Sequence, residues 1–177
     1  LFIMSNIFLK TERFILRYLT QEDFEELKEI LQDKDVMYAW EYEFSDNDVQ
    51  NWIDKNLELY KKYNLGYFLM VENISGKILG QAALMPEIID QHKYYEIGYI
   101  LKKEYWHKGF ATEAAKALKN YAFNNLNLNE IIFEIRPNNI SSRKIAENLN
   151  AKITGKFIKN VSNKKMLHLI YKLTRCS

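Results

Sequence analysis

The sequence predicts a mixed α/β fold built on one central sheet, and three observations predict it. Period-two segments and segments with apolar residues three and four apart succeed one another as strand, helix, helix, three strands, helix, strand, helix, two strands. The 177 residues are 47% hydrophobic and 27% charged, the composition of one compact domain able to bury a sizeable core. With only 6 Gly and 2 Pro there is no flexible linker or Pro-rich spacer, so Asn and Asp are expected to supply turns and caps.

Arg13-Phe14-Ile15-Leu16-Arg17-Tyr18 alternates and reads as the first strand, with residues 1–9 as an N-terminal extension. Thr20-Gln21-Glu22-Asp23 has the form of a helix start, and Phe24, Leu27, Ile30 and Leu31 follow at helical spacing. Ser45-Asp46-Asn47-Asp48 opens a second helix whose apolar face carries Val49, Trp52, Ile53, Leu57 and Tyr60. Between them lies a loop dense in aromatics, 37–44. Residues 67–73 and 77–85 form a hairpin around Ile74-Ser75-Gly76, and 94–101 is a further strand. A long helix runs from Lys108 or Gly109 to about Asn124. Residues 131–135 are nearly continuously apolar, as in a strand buried inside a sheet, and Pro137 ends it. Residues 141–149 make a short helix with Asn150 in the left-handed position after it, and 151–161 with 165–173 close the chain as a hairpin around Ser162-Asn163.

Lys plus Arg number 25 against 23 Asp plus Glu, a net charge of +2, so no strong field marks a nucleic-acid or membrane-surface binder. Lys156, Lys159, Lys164 and Lys165 cluster near the last hairpin, where such lysines usually make a solvated edge that discourages strand aggregation. The single cysteine, Cys176, allows no intrachain disulfide and suggests neither a Cys metal site nor a Cys-His nucleophile, which fits a reducing, cytoplasmic setting. No apolar run approaches the roughly 20 residues of a membrane span. Leu1-Phe2-Ile3-Met4 is too short for a secretory signal, and Met4 reads as the natural start.

The chemistry concentrates in Tyr105-Trp106-His107-Lys108-Gly109-Phe110-Ala111-Thr112-Glu113-Ala114, between a strand and a long helix. Small residues there admit a ligand close to the backbone, and the first N–H groups of the helix, free of intrahelical acceptors, suit phosphate oxygens. The Gly-Lys-Ser/Thr ending of a Walker loop is absent, as is the dinucleotide fingerprint.

The run from Glu96-Ile97-Gly98-Tyr99 through Glu113-Ala114 resembles the acetyl-CoA-binding signature of the GNAT N-acetyltransferases. More narrowly it is similar to the RimJ/RimL branch, which acetylates ribosomal-protein N-termini. Thr11-Glu12-Arg13-Phe14-Ile15-Leu16-Arg17 with Glu22-Asp23 resembles that branch's opening, and Asn139-Ile140-Ser141-Ser142 its Asn-x-x-Ser motif. The resemblance runs from about Lys10 to about Leu173 and implies the GNAT fold, a mostly antiparallel sheet of about seven strands flanked by about four helices.

It also implies roles. The family's pyrophosphate loop, Gln/Arg-x-x-Gly-x-Gly/Ala, falls on Trp106, Gly109 and Ala111, so that the amides of His107, Lys108, Gly109, Phe110, Ala111 and Thr112 cradle the pyrophosphate, with charge from Lys108. Trp106 departs from Gln or Arg. Two splayed parallel strands, 94–101 with Ile97, Tyr99 and Ile100 and 131–136, hold the pantetheine arm, aided by Asn139, while Ser142 lies near the thioester sulfur. The family's Tyr four residues beyond Ser142 is replaced by Ala146. Glu96 aligns with a family general base, against the bland reading of a solvated strand carboxylate; Ser142 as proton donor competes with a simple helix cap. Tyr38, Trp40, Glu41 and Phe44 form part of an acceptor wall or act as packing anchors. His107 reads as a solvent-facing or phosphate-adjacent side chain, and His92 and His168 lack metal-ligand spacing, so no metal is expected. The expected activity is direct acetyl transfer from acetyl-CoA to a primary amine, a peptide N-terminus or a small amine, by a monomer or homodimer. A non-catalytic acyl-CoA-binding domain is the alternative.

Overall fold

The computed structural model describes residues 6–176, so Met4 lies outside the described residues. Its strands are β1 (Ile7–Lys10), β2 (Phe14–Tyr18), β3 (Gly66–Glu72), β4 (Ile78–Ile89), β5 (His92–Leu101), β6 (Glu130–Ile135), β7 (Lys152–Val161) and β8 (Lys164–Thr174). The helices are α1 (Phe24–Leu31), α2 (Asp46–Tyr63), α3 (Phe110–Asn124) and α4 (Ile140–Asn148). All eight strands form one sheet in the order β1-β2-β3-β4-β5-β6-β8-β7.

The extra strand relative to the sequence reading is β1, which pairs antiparallel with β2 from Ile7↔Arg17 to Lys10↔Ile15. Four residues are too few to display alternation, yet Phe8 stacks on Phe68 with centroids 4.0 Å apart and ties this edge to the core.

Local sequence explains the ends. Ser45 caps α2 in a capping box with Asp48, and Thr20 with Asp23 does the same for the 3-10 turn that leads into α1. Asp90 and Gln91 take φ of 48° and 67°, Ser162 and Asn163 47° and 66°; two successive left-handed residues make the tight turn whose twist suits a hairpin. The first of these turns carries β4 to Ile89 and starts β5 at His92, earlier than alternation alone suggested. Asn150 is left-handed, with φ of 68°, just past α4.

On one face, Leu27, Ile30 and Leu31 of α1 and Val49 and Ile53 of α2 pack on Tyr67, Leu69, Ala83 and Ile100. On the other, Ala114, Ala115, Leu118 and Ala122 bring α3 close against Phe14, Leu16, Phe68, Leu84 and Ile97. Each large apolar side chain removed from water in these layers contributes about 1.5–3 kcal/mol.

The strand pairs are antiparallel except β5 and β6, which run parallel and share a single register pair, Glu96↔Ile132. Past that pair β5 stays on β4 and β6 on β8, so the sheet splits between them.

Candidate active site

A cavity of about 610 Å³ opens at this split. Trp40, Phe44 and Trp52 wall it from the helical side, Tyr67, Glu87 and Glu96 from β3 to β5, and Glu134, Lys159 and His168 from the far strands. Of the residues expected from sequence, Glu96, Ile97, Tyr99, Asn139, Ser142, Trp40 and Phe44 line it. Tyr38 and Glu41 lie outside the lining and hold the loop in place. The Tyr38 hydroxyl donates to Asn139 Oδ1 at 3.1 Å, while Glu41 pairs with Arg136 at 3.3 Å and its carbonyl accepts from Lys164 Nζ at 2.9 Å. Ile100 is buried in the layer under α1 and α2.

Strand alternation puts Glu96 on the side of β3's Tyr67, and Gly98 lets the two meet: a Cβ there would stand 3.0 Å from the Tyr67 hydroxyl and 3.9 Å from Glu96 Oε1. Glu96 is 7% exposed, so the reading of a solvated carboxylate does not hold. Burial pushes its carboxyl well above the usual range, the neighbouring Glu134 pushes further, and the Lys159 ammonium pulls back. Burial likewise raises the Tyr67 hydroxyl.

Sequence reasoning missed Glu134 and Lys159. Glu134 interrupts an otherwise apolar strand, a signal that was present, and its side chain is 3% exposed. Lys159 stands on the edge strand and is 39% exposed, but its ammonium turns inward to Glu134 at 3.1 Å and Glu87 at 3.7 Å. Burial works against that ammonium, but Glu96, Glu134 and Glu87 outweigh it and its proton is held more tightly than usual. Glu87, Glu96 and Glu134 bring carboxylate oxygens within 4.8 Å of one another, the one cluster among the described residues with metal-ligating potential, and Lys159 already stands beside it.

The loop from Trp106 to Thr112 follows β5 after one 3-10 turn, Lys103–Tyr105. The Trp106 indole donates to the Leu101 carbonyl at 3.1 Å and packs toward the α1–α2 layer, anchoring the loop from below. His107 and Gly109 are left-handed, with φ of 60° and 81°, and Glu113 N–H donates to the Gly109 carbonyl at 3.0 Å as α3 begins. The amides of Phe110, Ala111 and Thr112 precede that bond and have no carbonyl behind them within the helix. Arg13 clamps the loop. Its Nη1 donates to the Lys108 carbonyl at 2.9 Å, its Nε pairs with Glu113 at 2.7 Å, and its guanidinium lies 4.0 Å over the Phe110 ring. At α4, the Asn139 side chain caps the helix by accepting from Ser142 N–H at 3.3 Å, so Ser142 is not the cap. The Tyr99 hydroxyl donates to the Ser142 carbonyl at 3.2 Å. Ala146 is fully buried in the core.

A split parallel pair beside a helix start with free amides suits a ligand that carries an extended amide-bearing arm and a phosphate. The comparisons agree. The acetyltransferase (GNAT) domain family matches residues 13–152. An uncharacterized N-acetyltransferase of Bacillus licheniformis is 31% identical over 150 residues, 83% of each chain, and one of Bacillus subtilis 29% over 152 residues, 85% of this chain and 86% of its own. Among solved structures, a GNAT-family acetyltransferase from Bacillus anthracis superposes with a TM-score of 0.81 at 26% identity, covering 97% of this chain and 100% of that one. Two more distant structures share the fold. A ribosomal-protein-S5-alanine acetyltransferase from Vibrio fischeri has a TM-score of 0.74 at 21% identity, covering 93% of this chain and 94% of its own. A spermidine N-acetyltransferase from Vibrio cholerae, in complex with CoA and spermine, has a TM-score of 0.73 at 18% identity, covering 93% of this chain and 96% of its own.

Proposed function

This chain belongs to the acetyltransferase (GNAT) family, and from that premise we propose that it passes the acetyl group of acetyl-CoA directly to a primary amine, either a protein N-terminus as in the RimJ/RimL branch or a small amine. The observation that carries the reading is Glu96, a buried carboxyl at the last paired position before the split, opening into the cavity.

Acetyl-CoA supplies an activated thioester carbonyl. The amides of residues 107–112 take its pyrophosphate, with Lys108 adding charge. The free edge of Ile97, Tyr99 and Ile100 takes the pantetheine arm together with Asn139, whose Oδ1 is already bound and whose Nδ2 is the group to offer. Glu96 removes a proton from the acceptor amine, which must be neutral to attack, and the Ser142 hydroxyl donates toward the departing sulfur in place of the absent Tyr. Trp40 and Phe44 wall the acceptor side, with Tyr38 and Glu41 bracing them. Transfer is direct: Cys176 is exposed and outside the cavity lining. The reading uses no metal and a cytoplasmic setting; among the described residues no helix is long and apolar enough to cross a membrane.

Thermal melting with and without acetyl-CoA tests the cofactor half. At about 100 times the dissociation constant the ligand adds roughly 2.7 kcal/mol to the folded state, a rise of roughly 5–10 °C for this size. No rise refutes the cleft. A panel of short peptides and small amines then tests transfer, and a rise without turnover on any of them favours a non-catalytic acyl-CoA-binding domain.

A further inference from the structure

Three polar atoms of residues that wall the cavity are buried without a partner, Glu96 Oε2, Glu134 Oε1 and Arg136 Nε. An unpartnered buried carboxylate oxygen is costly, so two of them facing one space call for a proton or a cation between or before them. The molecule already displays what the cluster accepts, because the Lys159 ammonium sits against Glu134 and Glu87. Three carboxyls against that one ammonium leave negative charge unmatched.

We propose that Glu134 is the second half of the base: the carboxyls of Glu96 and Glu134 hold one proton between them, and their two free oxygens receive the acceptor's ammonium. That the incoming group is an amine rests on the acetyl-transfer reading; the shared proton does not. Two acids this close and this buried do not both ionise, and a pair that holds one proton carries a single negative charge, which draws a cation and can take up a second proton. The acceptor's N–H bond breaks, its proton goes to the pair's free carboxylate oxygen, and the nitrogen keeps the electron pair that attacks the thioester carbon. As the C–S bond breaks, the Ser142 hydroxyl gives its proton to the sulfur and takes the second nitrogen proton in its place, and the pair releases its extra proton to water.

The groups facing Glu96 fit this charge state. Tyr67 on β3 is a raised, neutral hydroxyl. From β4 comes Glu87, and from β6 Arg136, whose Nη1 pairs with Glu41 while its Nε is buried without a partner. Lys159 on β7 is the nearby cation, and burial lowers the His168 imidazole of β8, which is neutral at pH 7. Asp48 and Lys55 of α2 also line the cavity, the Asp48 carboxylate accepting from Tyr42 and Ser45.

Infrared difference spectroscopy of the apoprotein at pH 7 needs no acceptor. The wild type is expected to show a protonated carboxylic acid band that disappears in both Glu96→Gln and Glu134→Gln, because either change leaves a single carboxyl of the pair, with no partner to share a proton and free to ionise near Lys159. A band that survives Glu134→Gln, or a wild type without one, overturns the proposal. In turnover with whichever panel amine reacts, Glu134→Gln should move the acid limb of kcat/KM to lower pH and cut the maximum about ten-fold, whereas Lys159→Met moves the limb to higher pH. A merely structural role gives no opposed shifts, and limbs left in place overturn the proposal. Retained melting shifts with acetyl-CoA certify folding, and if Glu134→Gln fails to fold, Lys159→Met carries the test alone. A wild type with the band and its two losses but no amine turnover supports the shared proton and overturns acetyl transfer; turnover without the band overturns the pair and leaves transfer standing.

Discussion

Replacing Arg13 with Ala separates the loop's geometry from its mere presence. The side chain makes three contacts at once: Nε to Glu113 at 2.7 Å, Nη1 to the Lys108 carbonyl at 2.9 Å, and the guanidinium 4.0 Å over Phe110. Because it is 40% exposed, its ion pair is screened to about 0.5 kcal/mol. The bond to the carbonyl and the stacking each add about 0.5–1 kcal/mol. The loss is about 2 kcal/mol, or a melting temperature lower by about 4–8 °C. Glu113 is not orphaned, since it still accepts from Thr11 Oγ1 at 2.7 Å and from the backbone N–H of residue 13 at 3.0 Å. A functional effect should accompany the stability effect, because the only side chain that fixes the Lys108 carbonyl among the described contacts is gone. Calorimetric titration should show acetyl-CoA bound about ten-fold more weakly, about 1.4 kcal/mol. Arg13→Lys should recover part of the melting temperature and little of the affinity, since an ammonium lacks the fork that reaches both partners. An acetyl-CoA affinity within two-fold of wild type in Arg13→Ala would refute the clamp.

Three further outcomes follow from single features. Gly109→Ala places a left-handed residue, φ 81°, with only Arg13 Nη2 near the new Cβ at 3.4 Å, so the cost is conformational, about 1–2 kcal/mol by chemical denaturation; a neutral result would mean the loop relaxes out of that conformation. Trp52→Phe removes the 2.9 Å indole bond to Gln81 Oε1 and leaves a fully buried amide, whose Nε2 already lacks a partner, with none; a loss of about 1–3 kcal/mol is expected, and less than 0.5 kcal/mol counts against it. Glu96 binds its proton more tightly folded than unfolded, so its contribution to stability is complete below the unfolded value near 4.3 and is lost as pH rises toward the raised folded value. Urea titrations should therefore show the wild type losing stability relative to Glu96→Gln as pH increases from 4.5, and parallel curves would contradict the burial argument.

The sequence made the elements legible where local chemistry decides them. Ser45 with Asp48 and Thr20 with Asp23 announce helix starts, Ser162-Asn163 a hairpin, Asn150 a helix end, and each stands where expected. The cavity's first members, Glu96, Asn139 and Ser142, came from motif register. Glu134 and Lys159 did not, because their meeting depends on strand order. The last hairpin inserts β8 between β6 and β7, so Lys159 on the edge strand reaches Glu134 across β8. No periodicity within 152–174 distinguishes that order from its reverse. Trp106 shows the converse case: a residue that departs from the motif and whose indole donates to the Leu101 carbonyl.

One connection accounts for both halves of the proposed cofactor cleft. Antiparallel neighbours can be joined by a two-residue turn, as β4 and β5 are, but a parallel neighbour requires a crossover, and here α3 supplies it between β5 and β6. A crossover helix must start where its first strand ends, so α3's unpaired amides stand at the same end of β5 at which pairing with β6 has already lapsed. The free strand edges and the free helix amides are thus neighbours by topology, before any side chain is chosen. Side chains then decide what happens there, and the first residue they fix is Glu96, the last to pair across the split and a buried carboxyl lining the space it opens. Moving the charge two residues along β5, as in Glu96→Gln combined with Gly98→Glu, keeps the strand face but puts a side chain where a Cβ alone meets Tyr67 at 3.0 Å. That variant should lose cooperative folding or activity while acetyl-CoA binding by the crossover survives in any folded fraction, and activity equal to the wild type would show that the position of the carboxyl is not what the split selects.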